Sequence, residues 1–177
     1  QIKNLFKKID KKITNQLKKI NLLKNQTFIE YPKKGLEELD EIVEIIKRRN
    51  GGILLVDYGF LKQKSVSTVQ SVKKHKKVNL FEDLGNADIT SLVNFNLLEK
   101  FFMQKNLKIN KTVSQSKFLK RVGIIERADI VSKKISFKDK SSIYFNLQRL
   151  LHPKYMGELF KVIFAFKNNK KFSLGFD

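Results

Sequence analysis

Few side chains in this 177-residue chain are placed to do chemistry, and the best placed is Asp57. It follows the run Gly51-Gly52-Ile53-Leu54-Leu55-Val56 and precedes Tyr58 and Gly59. An unbroken apolar run of this length reads as a strand buried on both faces, as parallel strands are. Asp57 and Tyr58 then stand at its carboxyl end, where open α/β sheets bind their ligands. The same residue types also serve structure: an aspartate caps the following turn and a tyrosine packs. Glu30 ends a short predicted strand at 27–29, because Pro32 cannot continue a central ladder. It equally suits a turn or the start of the next helix. Asp88 and Thr90 are good caps for a turn or short helix. His75 is one of two histidines, and a surface or hydrogen-bonded role competes with ligand binding.

Two kinds of chemistry are excluded. The chain has no Cys, so it has no thiolate and no disulfide framework. Without Cys or paired His, the three or four ligands of a metal site are missing, and no metal is expected.

The elements that must position Asp57 follow from periodicity. Leu36, Leu39, Ile42, Val43 and Ile46 recur at helical spacing, with Glu37, Glu38, Asp40 and Glu41 between them. A helix over 35–49 ends on Lys47-Arg48-Arg49, cations that complement the dipole, and Asn50-Gly51-Gly52 supplies a left-handed stop. Helix, tight turn and buried strand form half of an α/β crossover unit. Downstream, 67–72 is extended, Asn94 caps a helix carrying Phe95, Leu98, Phe101 and Phe102, and 107–113 is a strand. Ser114 or Ser116 caps a helix ended by Gly123, and a further helix over 141–151 stops at His152-Pro153. The chain closes with a strand over 159–166, a turn at Asn168-Asn169 and a return strand over 172–176.

Lys plus Arg number 37 against 17 acidic residues, a net charge of +20. Such a charge suits a polyanionic partner, nucleic acid or an anionic membrane surface. The excess is nevertheless mostly Lys, and it is spread along the chain instead of gathered in one tail. Nucleic-acid binding is therefore disfavoured against a surface of solvated lysines. Residues 1–25 are lysine-rich with Ile2, Leu5, Phe6, Ile9, Ile13, Leu17 and Ile20 near helical spacing. An apolar stripe packed on the protein is preferred there to one laid on lipid. No apolar run approaches the ~20 residues of a bilayer span. The length and 41% hydrophobic content predict a single domain over 1–177.

Several phrases resemble one family. "GGILLVDYG" is similar to the segment after the long crossover helix in MidA-type proteins, the mitochondrial complex I assembly methyltransferases and their bacterial relatives. Thr68-Val69-Gln70 and His75 resemble its "T-[LV]-Q-x-[VF]-x-x-H" phrase. Asp83, Gly85, Ala87, Asp88, Ile89, Thr90, Val93, Phe95 and Leu98 match a second run, with Asn94 where the family often has Asp. Gln115, Phe118, Leu119, Gly123, Ile124 and Arg127 match a third, and "MGELFKV" resembles the family's ending; together these cover 30–166.

The resemblance implies a Rossmann-like α/β fold with a mixed sheet ending in an antiparallel hairpin, and S-adenosylmethionine as cofactor. It implies a protein arginine substrate, with a respiratory complex I subunit as possible partner, in the bacterial cytoplasm or the mitochondrion. Methyl transfer to a guanidinium needs carboxylates to orient the nitrogen. Asp57 leads, with Tyr58 walling the substrate side and Glu30, Asp88 and His75 as substrate contacts. The family's glycine-rich cofactor loop is not found, since Gly51-Gly52 precedes a strand instead of following one. With no Met at its start, the chain is expected to be the carboxyl-terminal part of such a domain, with no cofactor contacts of its own. The alternatives are a basic nucleic-acid- or membrane-surface-binding module and a non-catalytic assembly scaffold.

Overall fold

Apolar residues dominate 52–60, and β-branched and aromatic ones 160–166, and these segments form the two long strands of the structure. The computed structural model describes residues 8–23, 28–62, 64–74, 76–81, 85–168 and 173–176. In chain order the elements are α1 (Lys11–Lys19), α2 (Lys33–Arg49), β1 (Gly52–Phe60), β2 (Gln70–Lys73), β3 (Lys76–Val78), β4 (Asp88–Thr90) and β5 (Val93–Asn94). They continue with α3 (Phe95–Gln104), β6 (Lys108–Ser114), α4 (Gln115–Arg121), α5 (Ile124–Ser132), α6 (Phe137–Leu151), α7 (Met156–Leu159) and β7 (Phe160–Phe166). Contacts gather them into two units, one of residues 1–31 and 62–92, the other of 32–61 and 93–177.

The larger unit is built on a four-stranded sheet in the order β5-β1-β7-β6. β7 is antiparallel to β1 on one side and to β6 on the other; β1 runs parallel to β5 only at Gly59 and Phe60. The mixed sheet is thus present, but β1 is not buried on both faces. Leu54 and Val56 remain 46% and 48% exposed while Ile53 and Leu55 are partly covered. The long partner of β1 is antiparallel, and antiparallel sheets leave one face uncovered. The core is made of Phe95, Leu97, Leu98, Phe101 and Phe102 from α3, Val162, Ile163, Ala165 and Phe166 from β7, and Leu36, Val43 and Ile46 from α2. Asn94 caps α3, its side chain accepting from the Leu97 N–H at 3.0 Å. Glu99 then ties α3 to β6 by accepting from the Thr112 N–H at 2.9 Å.

The Asn50 stop is as expected: Asn50 itself takes the left-handed conformation, at φ 56°. The described part of the expected return strand, 173–176, makes a turn instead, and residues 169–172, with part of the expected turn, lie outside the described residues. Both edges of β7 are already occupied by β1 and β6, so no edge is left for a hairpin partner. The turn packs instead on α4, with the Phe176 ring edge-on to Phe118 at 5.3 Å.

The smaller unit carries α1 and the antiparallel sheet β3-β2-β4. Its α1 is shorter than the stripe over 1–25 suggests; Asp10 caps it, and Leu17 and Leu22 are buried. Asp88 and Thr90, expected as caps, lie in β4, opposite Val72 and Gln70 of β2. Ile89 and Thr90 are β-branched, and an unfilled edge of β2 outweighs the local capping preference. The expected strand at 27–29 does not form: Phe28 and Ile29 are unpaired, and residue 27 lies outside the described residues.

Glu30 holds this unit together. Its Oε1 accepts from the Ser67 hydroxyl at 2.9 Å and the Thr68 N–H at 2.8 Å, and its Oε2 accepts from the Thr68 hydroxyl at 2.5 Å. The Thr68 oxygen in turn accepts from the Leu92 N–H at 2.9 Å. Burial is the largest single influence on Glu30 and pushes its carboxyl up. The donors from Thr68, Ser67 and the Val69 N–H together outweigh it and hold the carboxyl below its ordinary 4.5.

Two expectations follow. A lowered folded value means that Glu30 stabilises the fold fully above the ordinary carboxylate range and ceases to do so as pH falls through the folded value. Glu30→Gln should lower stability by about 1–2 kcal/mol near neutral pH, after allowance for solvent screening. In urea titrations the gap between wild type and variant should narrow as pH is lowered from about 5 towards 2; a gap constant with pH refutes the assignment. At Gly59 an added Cβ would meet the Val93 carbonyl oxygen at 2.2 Å and the Phe95 ring at 2.7 Å. Gly59→Ala should therefore cost about 2 kcal/mol or more in the same titration.

Candidate functional site

Asp57 lies one residue before Tyr58 near the end of β1, and the pleat turns their side chains to opposite faces. The candidate carboxylate and the candidate for the substrate-side wall are thus on opposite faces of the strand. Tyr58 stands across from Phe160, ring edge to ring face at 5.7 Å, and is a packing residue on its side of the sheet. Asp57 Oδ1 accepts from the Tyr58 N–H at 2.7 Å, which fixes the carboxylate at the strand end.

Register brings other polar groups to the side of Asp57. Lys161 of β7 lies directly opposite it, and Ser114 of β6 lies opposite Lys161. Directly opposed residues in antiparallel strands share a face, so Asp57, Lys161 and Ser114 form one row across three strands. Glu158, from α7, joins the row. Its Oε1 accepts from the Ser114 hydroxyl at 2.9 Å, and its main-chain carbonyl accepts from the Lys161 ammonium. Burial lowers Lys161 below its ordinary 10.5, and the nearby Glu158 opposes this only in part. Ser114 also caps α4, as expected, so the helix start and the polar row share one hydroxyl.

Sequence reading missed Lys161 and Glu158. Both are in "MGELFKV", but nothing in that phrase says that Lys161 faces Asp57, 104 positions earlier; only the β1–β7 register does. Of the other expected residues, Glu30 is engaged by Ser67 and Thr68 within the smaller unit, and Asp88 is exposed on β4. His75, like Asp83, lies outside the described residues. Among the described residues no group of three or more His, Cys, Asp or Glu could hold a metal ion. Nor is any described helix long and apolar enough to cross a membrane.

The glycines flanking β1 test whether this region cradles a cofactor. An added Cβ at Gly52 would meet the Phe164 ring at 2.7 Å, and that at Gly59 the Val93 carbonyl. Both are small because protein packs against them. Neither glycine belongs to a phosphate- or nucleoside-binding loop.

Comparison with known proteins agrees with this architecture. A native crystal structure of a Burkholderia thailandensis protein superposes with a TM-score of 0.61 at 25% identity, covering 77% of this chain and 39% of that one. A second Burkholderia thailandensis structure, solved with S-adenosyl-homocysteine bound, gives 0.58 at 24% identity over 78% and 37%. Among curated proteins, the "Protein arginine methyltransferase NDUFAF7, mitochondrial" of Danio rerio is 27% identical over 123 residues, and that of Xenopus laevis 26% over 124. Each alignment takes in 70% of this chain, and the chain spans only 29% and 28% of those relatives. The "NDUFAF7 homolog" of Caenorhabditis elegans is 33% identical over 89 residues, half of this chain. The family described as "Putative S-adenosyl-L-methionine-dependent methyltransferase" matches residues 1–113, well over half of the 177, and the chain belongs to that family.

Proposed function

We propose that this chain is the carboxyl-terminal part of a single methyltransferase domain that modifies arginine on a protein. The family match over residues 1–113 carries the reading. The arginine substrate is taken from the names of the Danio and Xenopus relatives, as is a mitochondrial location where the source is eukaryotic. A respiratory complex I subunit is the partner implied by the resemblance of "GGILLVDYG" and "MGELFKV" to complex I assembly methyltransferases.

S-adenosylmethionine would supply an electrophilic methyl group. The sequence offers no glycine-rich loop after a strand, and no residue of this chain is assigned to that contact. What this chain offers is the polar row. A guanidinium is planar and cationic, and a fixed carboxylate orients it through charge-assisted hydrogen bonds. Asp57 is such a carboxylate, held by its own backbone at a strand end. The Lys161 ammonium opposite is engaged by the main-chain carbonyl of Glu158. Tyr58, on the other face, is left to packing. Glu30 is assigned to fold support, Asp88 remains a substrate-contact candidate by its exposure, and His75 by its sequence match alone.

Two measurements test this. Titration calorimetry of the isolated 177 residues with S-adenosylmethionine should show no binding in the micromolar range; micromolar affinity would place the cradle in this chain after all. In the full-length enzyme, Asp57→Asn should reduce arginine methylation by about tenfold or more with stability little changed, since one orienting charge is lost. An unchanged rate removes Asp57 from the site.

A further inference from the structure

The segment 137–159 lies beyond the residues that carry the family match, and α6 buries none of its side chains. Its apolar residues are displayed: Tyr144 and Phe145 are 64% and 65% exposed, Tyr155 56% and Leu159 47%. They do not form a flat patch. α6 ends at His152, whose carbonyl oxygen accepts from both the Tyr155 and Gly157 N–H groups, at 3.0 and 3.2 Å. Its Nδ1 accepts from the Lys154 N–H at 3.1 Å. This turn folds α7 back against the end of α6, and only glycine fits at 157, where an added Cβ would lie 2.2 Å from the Leu151 carbonyl oxygen. The result is an open groove of about 460 Å³, lined chiefly by Phe145, Gln148, Arg149, Lys154, Tyr155 and Leu159.

The charge of this groove is one-sided. Its lining holds two cations and no carboxylate. Glu158, next in sequence to the lining residue Leu159, is engaged by Ser114. Among the described residues no ion pair involves Arg149 or Lys154. An apolar floor beside an arginine and a lysine is complementary to a bulky apolar side chain flanked by carboxylates. A second copy of this chain, at +20, brings the wrong charge. A membrane surface calls for a protruding apolar edge, whereas this site is concave. A nucleic-acid backbone needs a track of cations, and the basic start of α6 is interrupted by Asp139. We propose that the groove between α6 and α7 docks an acidic protein segment bearing an aromatic or large aliphatic anchor, independently of the methyl-transfer site.

The test is fluorescence anisotropy on the full-length protein, with a short fluorescein-labelled peptide of glutamates around a central phenylalanine. Saturable binding is expected, weaker by about tenfold when alanine replaces the phenylalanine and absent when lysines replace the glutamates. The double variant Arg149→Glu/Lys154→Glu should weaken it by about tenfold or more, and Phe145→Ser, at an exposed position that the fold does not need, by several-fold. Lys108→Glu/Lys111→Glu, an equal charge change on exposed β6 positions, should leave it within about twofold. The proposal is overturned if the peptide does not bind, if both charge reversals weaken it equally, or if the phenylalanine is dispensable. It is also overturned if phosphatidylglycerol vesicles or single-stranded DNA bind through Arg149 and Lys154 more tightly than the peptide, or if sedimentation shows a dimer that Phe145→Ser dissolves.

Discussion

The antiparallel ladder between β1 and β7 is the constraint on which the larger unit depends. It pairs residues continuously from Gly52 with Phe166 to Tyr58 with Phe160. Because side chains alternate, that single register decides every face at once. It sets Leu55 against Ile163 and Val56 against Val162, and it sets Asp57 against Lys161. A slip of one residue would turn Asp57 to the face of Tyr58 and leave Ile163, now fully buried, without its partner. The buried valine and isoleucine of β7 thus hold the polar row in place.

Glycine secures the ends of that ladder. Gly52 lets the Phe164 ring lie over the start of β1, and Gly59 lets β5 approach its end. The second contact joins β1 to β5, which leads directly into α3 and its five buried apolar residues. The end of β1 that bears Asp57 is therefore clamped between an antiparallel ladder and a short parallel one. A carboxylate at such a strand end has a rigid base. Gly157 repeats the device at α7, where close approach to the end of α6 shapes a groove in place of a filled core.

The two units divide the chemistry of the chain. In the smaller one the prominent carboxylate, Glu30, is saturated by hydroxyl and backbone donors, and it ties together segments far apart in sequence. In the larger one, Asp57 accepts from its own backbone and faces a lysine whose charge burial disfavours. Both carboxylates end apolar stretches and look equivalent in a sequence. Their partners make one a structural joint and leave the other available.

Local patterns carried much of the architecture. The apolar stripe of α2 with its Asn50 stop, the Asn94 and Ser114 caps, and the apolar runs of β1 and β7 are each written within a few residues, because periodicity and capping act over one or two turns. Family phrases such as "GGILLVDYG" and "MGELFKV" carried the methyltransferase kinship. Whatever depends on pairing between distant segments was decided only in the folded chain. Asp88 and Thr90 became strand residues because β2 offered an edge, and 173–176 became a turn because β7 offered none. Lys161 was joined to Asp57 by a register set among residues a hundred positions apart. A sequence records what each residue prefers, whereas burial, pairing and charge compensation are properties of neighbours that only the tertiary structure supplies.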